Sequence, residues 1–519
     1  NPILSNDSPS AQGHDLMFVQ MVDEDPFTGE IVGTAAESWD ISEDGLEYTF
    51  YMRDDIFWSD GTPLTAKDFK FTFEAIGSEL VDTPRKGAVE LIESIDILDD
   101  YTVKVTFSAI DCTALQNFLY GILPSHLYAE DFSDIMDSPE NEAPTVVSGP
   151  FKFVEWVRDD HVTLAANEDY YLGKPNVDGW IMRILPDASA ELASLLAGEL
   201  DYIEELSAQY VSTVEGRIAG GNPFSIHKAF DDGYVWMAMN TADPENPQIG
   251  WVDENENGLF DEGEPYQEQD PHPILSDVRV RQAIAQSIDI TGIVQQVVFG
   301  QGIPQTANTL PAIEWAYNNE IEPWPFDQEA AAALLEEAGW VDTDGDGVRE
   351  KDGMDLTIRL MTNQGNEVRE SIVTIAKDNL DTIGFNIVLE VIEFGTVVES
   401  LVGQTFDMAV LGWTNNGSDP EDTSSWCYRY DEPGAGYAFT SYYNNEVNDL
   451  LLEARSIPGC SIEERGERYK RVQEILHEEV PYVFLYVPID NSPQNLRMNN
   501  YEPGPWDIDW NANTWYLSP

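Results

Sequence analysis

The sequence predicts an α/β protein of more than one domain. Its 519 residues exceed what a single hydrophobic core organises, so two or three domains are expected. From residue 278 onward helical and extended stretches alternate, as they do where helices pack on a sheet. An apolar and aromatic content of 42% belongs to a folded chain rather than a disordered one.

The elements follow in order. Tyr48, Thr49, Phe50, Tyr51 and Met52 alternate as a strand, and residues 59–63 make a turn. Thr65 then caps a helix whose apolar face is Phe69, Phe71, Phe73 and Ile76. Strands recur over 95–98 and 102–107, and a hairpin over 151–156 and 162–167. Helices are predicted over 189–197, 278–287, 328–338, 369–383 and 462–479. Strands over 356–360, 386–391, 407–411 and 483–487 complete the α/β part.

Charge narrows the function. Lys and Arg total 26 against 96 Asp and Glu, a formal net charge of −70. Such a surface repels DNA, RNA and anionic membrane faces, so no nucleic-acid partner is expected. It stays soluble at high ionic strength, which suits a salty exterior. No run approaches the 18 apolar residues a membrane helix needs. No basic segment precedes an apolar one, so an export leader is expected to have been removed or to lie upstream. Fourteen Trp and 22 Tyr suit an aromatic-lined cavity as well as plain cores. Cys112, Cys427 and Cys460 are too scattered for a metal site; Cys427 with Cys460 is the expected disulfide, three buried thiols the alternative.

Catalytic motifs are missing. The six His residues form no zinc pattern, and no nucleophile elbow, phosphate loop or dinucleotide fingerprint occurs. Two acidic loops carry a different chemistry. In the first, Asp253, Asn255, Asn257, the Leu259 carbonyl, Asp261 and Glu264 stand at positions 1, 3, 5, 7, 9 and 12 around Gly258, the oxygen ring that Ca²⁺ needs. In the second, Asp342, Asp344, Asp346 and the Val348 carbonyl fit, while position 12 is Gly353. Glu350 or Asp352 must then supply the closing carboxylate, and a solvent-facing turn is the plain alternative. One or two structural Ca²⁺ ions are expected, without a catalytic role.

Ala36-Glu37-Ser38-Trp39, Ser42-Glu43-Asp44-Gly45-Leu46 and Trp58-Ser59-Asp60-Gly61-Thr62-Pro63-Leu64 form an ordered series. It continues with Ser148-Gly149-Pro150-Phe151, Leu196-Ala197-Gly198-Glu199-Leu200-Asp201, Asp277-Val278-Arg279-Val280-Arg281, Gly339-Trp340 and Gly412-Trp413 with Asp419-Pro420. The series resembles the family 5 bacterial extracellular solute-binding proteins, the oligopeptide-, dipeptide- and nickel-binding components of ABC importers. The resemblance implies a periplasmic-binding-protein-like two-lobe clamp, class II in type and in the large three-domain form. Domain I would comprise 1–25, 148–272 and 490–519, domain II 26–147 and domain III 273–489. It implies a monomeric, non-catalytic protein in the periplasm or on the outer face of the cell membrane, often lipid-anchored. Such a protein captures peptides by hinge closure and delivers them to permease subunits. A non-peptide solute, whether oligosaccharide, modified peptide or metal chelate, is the runner-up. A calcium-stabilised structural surface protein is the reading from another class, and it leaves the ordered motifs without a cause.

Peptide binders of the family often carry an Asp after the Gly-Trp pair, which holds the ligand's free amino group. Here that position is Asn416, beside Asn415, so either Asp419 takes the role or the ligand lacks such a group. Trp413, where an apolar strand turns polar, is the leading contact residue, with a core Trp as the alternative. Tyr234, Trp236 and Asn240 are expected on the opposite wall, with Trp426 and Arg429 as further candidates. Arg429 would meet a ligand carboxylate, unless Asp431 or Glu432 claims it.

Overall fold

A computed structural model describes the whole chain except residues 6–7, 186, 255–259, 261–262, 415–416 and 519. It resolves into two units. The first comprises Asn1–Ala229, Ser456–Cys460 and Asn491–Pro519, the second Phe230–Arg455 and Ser461–Asp490. Among the described residues no helix is long and apolar enough to cross a membrane.

In the first unit, strands Ala36–Ile41, Glu47–Met52, Thr102–Phe107 and Ile92–Asp99 pair antiparallel in that order. Phe50 and Phe107 face inward at alternate positions and meet helix Ala66–Gly77 through Phe69, Phe73 and the neighbouring Phe118. The helix starts where Thr65 predicts. Asp68, its third residue, accepts the Thr65 backbone N–H at 2.9 Å and so closes the first turn. The predicted hairpin forms between Phe151–Val157 and His161–Ala166, and Gly179–Arg183 adds a third strand. Trp515 stacks on Trp180 of that strand at 5.0 Å, which docks the C-terminal residues onto this unit.

The second unit is the α/β part. Strands Thr357–Asn363 and Asn386–Ile392 run parallel, and Thr357–Asn363 also pairs parallel with Met408–Trp413. Tyr234–Met239 lies antiparallel between Met408–Trp413 and the start of Tyr482–Asn495. Every residue of Tyr234–Met239 is buried, as a central strand covered on both faces must be. Helices Val278–Ser287, Gln328–Glu337, Glu367–Thr382 and Ile462–Glu479 start within two residues of their predicted positions. Asp277, Asp327, Asn366 and Ser461 cap them, each accepting a backbone N–H.

Residues 230–272 cluster with the second unit, because Tyr234–Met239 is tied by ladder bonds to Met408–Trp413. One expectation is corrected. The disulfide joins Cys112 to Cys460, with Cα atoms 5.3 Å apart, and Cys427 is the free cysteine. Cys427 is fully enclosed in the second unit, its thiol toward the Asn448 carbonyl, whereas the short segment holding Cys460 clusters with the first.

Candidate functional site

Where parallel strands end at their carboxyl edge, loops diverge and leave room for a ligand. Met408–Trp413 ends there. Its first four residues are buried, and the last two, Gly412 and Trp413, are only partly so. Trp413 packs against Trp236 at 5.5 Å, Phe439 at 5.8 Å and the exposed Tyr437 at 5.8 Å. One edge of its indole is thus held by the core while the residue keeps some access to solvent. Gly412 leaves the space this needs: a Cβ there would stand 3.1 Å from the Tyr234 carbonyl and 3.5 Å from Arg369 Nη2.

Arg369 was not singled out from sequence. It sits in the first turn of Glu367–Thr382 and donates from Nη1 to Asn363 Oδ1 at 3.0 Å, at the end of the adjacent strand. No carboxylate pairs with it among the described residues, and burial holds its guanidinium pKa below the usual value. A half-buried, unpaired arginine in a chain with 96 acids is a ready receptor for an anionic ligand group.

The other sequence candidates divide. Trp236, 1% exposed, stacks on Tyr482 at 4.9 Å and is a core residue, as is Tyr234. Asn240 is fully buried, donating to the Gln404 and Phe406 carbonyls, so it braces a turn instead of lining a wall. Trp426 is also fully buried, its indole donating to Asp422. Arg429 lies over the ring of Tyr430 and donates to that hydroxyl at 2.6 Å. Asp431, its supposed competitor, is instead buried among Gln269, Gln404 and Ser441, and burial pushes its pKa up to about 7. Asp419 does not await an ammonium, because Arg465 Nη2 already pairs with it at 2.7 Å in a buried setting. Asn415 and Asn416 lie outside the described residues.

The family model described as "Bacterial extracellular solute-binding proteins, family 5 Middle" matches residues 30–434. The chain belongs to this family. It is 28% identical to the oligopeptide-binding protein AppA of Bacillus subtilis (strain 168), over all of this chain and 89% of that protein. It is 26% identical to heme-binding protein A of Haemophilus influenzae, over 92% of this chain and 83% of that one. The solved structure of B. subtilis AppA in complex with a nonapeptide superposes with a TM-score of 0.81 at 26% identity, covering 100% of this chain and 96% of that one. NikZ from Campylobacter jejuni, in complex with Ni(L-His), shares the fold with a TM-score of 0.79 at 24% identity, over 99% and 96% of the two chains. As an extracellular solute-binding protein the chain is a transport component and not an enzyme.

The first unit of this solute-binding protein holds a second notable feature, a cluster of carboxylates. Gln12 Nε2 bridges Glu204 at 3.0 Å and Asp509 at 3.1 Å, while Asp507 accepts the Asp509 backbone N–H at 2.9 Å. Burial and then the Asp507 charge push Asp15 up to about 7 and Asp23 up to about 8. Glu204 is pushed up by burial and by Glu205. Asp15 and Glu204 nevertheless keep exposed surface.

Folded pKa values raised above the unfolded ones set the sign of a pH effect. The unfolded chain releases these protons near pH 4 and the folded chain only near 7–8, so stability should fall as pH rises through that window. Asp507→Asn removes the charge that acts on Asp15 and Asp23. It should raise stability at pH 8 by no more than about 1 kcal/mol, since Asp15 keeps exposed surface and solvent screens it, with the gain shrinking toward pH 4. Thermal melts of both proteins across that range check this; a gain independent of pH would refute it.

Of the first acidic loop, Asn255, Asn257, Leu259 and Asp261 lie outside the described residues. Its base is described: Val252 N–H donates to the Pro265 carbonyl at 2.9 Å, and buried Glu264 accepts the Glu254 N–H at 2.9 Å. Asp253 stands at its entry. In the second loop carboxylate oxygens of Asp342, Asp344 and Glu350 lie within 4.8 Å of one another. Asp346 instead accepts the Val348 N–H at 2.8 Å, and Asp352 occupies a left-handed turn at φ 54° outside the trio.

Proposed function

We propose that this protein captures peptides outside the cell membrane and delivers them to the permease subunits of an ABC importer, as a monomer. The observation that carries the reading is the likeness, over the whole chain, to a relative solved around a nonapeptide. Trp413 supplies a flat apolar contact and Arg369 a cation for a peptide carboxylate, both at one end of one sheet. Capture works by population shift, in which a solute stabilises the closed arrangement because it binds that arrangement better. Calorimetric titration with peptides of graded length tests the reading. Trp413→Ala should weaken binding about 10-fold or more, and Arg369→Met should erase any preference for a free over an amidated carboxyl terminus. Unchanged affinities in folded variants would remove both residues from the site.

We also propose that the acidic loops bind Ca²⁺ structurally, the trio Asp342, Asp344 and Glu350 supporting this for the second. At fixed ionic strength, chelation should lower Tm and added Ca²⁺ restore it by mass action. Glu264→Gln should shrink the response from the first loop and Glu350→Gln that from the second. Ion counts equal to wild type in both variants would end the proposal.

A further inference from the structure

Helix Ala66–Gly77 and the outer strand Ile92–Asp99 of the first unit's four-stranded sheet border a crevice of about 550 Å³. The 3₁₀ turn Lys86–Val89, in the connection between them, supplies a third wall. The volume falls in the range of small-molecule sites and far exceeds what one water fills. Phe73, Val89, Ile92 and Ile95 give the crevice an apolar lining, with Phe73 and Ile95 anchored in the core. Gly77 and Gly87 line it without a side chain. A Cβ at Gly77 would meet only Val89 Cγ2, at 3.7 Å, and one at Gly87 nothing within 4 Å, so packing leaves this space open.

The second observation is a break in the strand ladder. Ile92 pairs with Phe107 and Ser94 with Thr106, so Glu93 is an extra residue without a partner across the sheet. A bulge of this kind re-aims a side chain and recurs beside binding sites. Glu93 lines the crevice, together with Glu74 and Glu90. The cations nearby are engaged. Lys70 Nζ donates to the Ile95 carbonyl at 2.6 Å and pairs with Glu74 at 3.4 Å, while Lys86 Nζ donates to the Ser78 carbonyl at 2.5 Å. Glu90 and Glu93 have no cationic partner among the described residues. Unpaired surface acids are ordinary in a chain with 96 of them, but these two line an apolar crevice.

We propose that this crevice binds a small organic cation with an apolar body. Its ammonium or guanidinium group meets Glu90 and Glu93, and its body rests on Val89, Ile92 and the wall left bare by the two glycines. Each part answers one feature: the charge compensates two unpaired carboxylates, and the body covers apolar surface otherwise left to water. A compact metal ion fits less well. The oxygens of Glu74, Glu90 and Glu93 do not gather within 4.8 Å of one another, as those of Asp342, Asp344 and Glu350 do. An anion would face three carboxylates, with Lys70 and Lys86 already engaged. The crevice belongs to the first unit, whereas Trp413 and Arg369 belong to the second, so the inference does not rest on the peptide reading.

Three probes of one shape test it: phenylbutylamine, phenylbutanol and phenylbutyrate, titrated calorimetrically into wild type, Glu90→Gln, Glu93→Gln and Gly77→Leu. Wild type should take up one amine per chain, bind the alcohol about 10-fold more weakly and bind the acid more weakly still. Glu90→Gln and Glu93→Gln should each weaken the amine about 3-fold and leave the alcohol unchanged, since these ion pairs would be exposed and screened. A residue with a merely structural role would move amine and alcohol together. Gly77→Leu places a side chain in the crevice and should abolish uptake of the amine while the circular dichroism spectrum stays intact. If that variant does not fold, Gly87→Leu decides in its place. No amine uptake by wild type, equal affinity for amine and alcohol, or an amine affinity unmoved by the glutamine or the leucine substitutions overturns the proposal.

Discussion

Arg465→Met should cost about 3–5 kcal/mol of stability, the largest single-residue effect expected in this protein. Arg465 and Asp419 keep only 4% and 12% of their side-chain surface and meet at 2.7 Å. Arg465 also donates from Nε to the Ala454 carbonyl at 3.0 Å and from Nη2 to the Tyr469 hydroxyl at 3.0 Å. Its guanidinium lies 5.4 Å from the centre of the Trp315 ring. Removing the arginine leaves Asp419 enclosed without its counter-charge, with the Glu421 N–H as its remaining donor, and the cost of that unpaired buried carboxyl, whether ionised or forced to take up a proton, dominates the loss. The double variant Asp419→Leu, Arg465→Met should therefore recover most of it, since the desolvation of two ions disappears with the ions. Urea midpoints of the two single variants and the double variant decide this. Additive losses would mean that Asp419 and Arg465 do not act as a pair.

Loss of the Cys112–Cys460 bond should cost about 2–5 kcal/mol, because the crosslink restricts an unfolded chain across a long loop. The two cysteines are 348 residues apart in sequence. Cys427 should contribute nothing to this redox response. It is buried, and burial pushes its thiol well above the usual range, so the reactive thiolate is scarce. Alkylation of the denatured, unreduced protein followed by peptide mapping should label Cys427 alone. A label on Cys112 would instead support the Cys427–Cys460 pairing expected from sequence.

How far the sequence could be read depended on the range of the physics involved. The helix after Thr65, the hairpin beginning at Phe151 and the capped helices of the second unit are local patterns of period and cap, and they formed within a few residues of expectation. Helix Ala208–Ala219 escaped notice because β-branched residues and Gly216 blur its apolar stripe. Strand Tyr482–Asn495 runs on past Pro488, where a residue without an N–H suggested a stop. At the candidate site, Trp413 is named from sequence because it ends an apolar strand. Arg369 is not, since what distinguishes it is the lack of a carboxylate partner among the described residues. Among 96 acids any arginine looks paired, and only the fold shows which ones lack a carboxylate partner among the described residues. Asp419 misled for the converse reason, as its partner lies 46 residues along the chain.

Native mass spectrometry tests the central claim most directly. Protein freed of endogenous solute by unfolding and refolding would be offered a mixture of defined peptides, with oligosaccharides and metal chelates in parallel samples. Retention of peptide masses at one per chain, with none from the other two samples, is the predicted result. Retention of a sugar or a chelate with no peptide at all would contradict it.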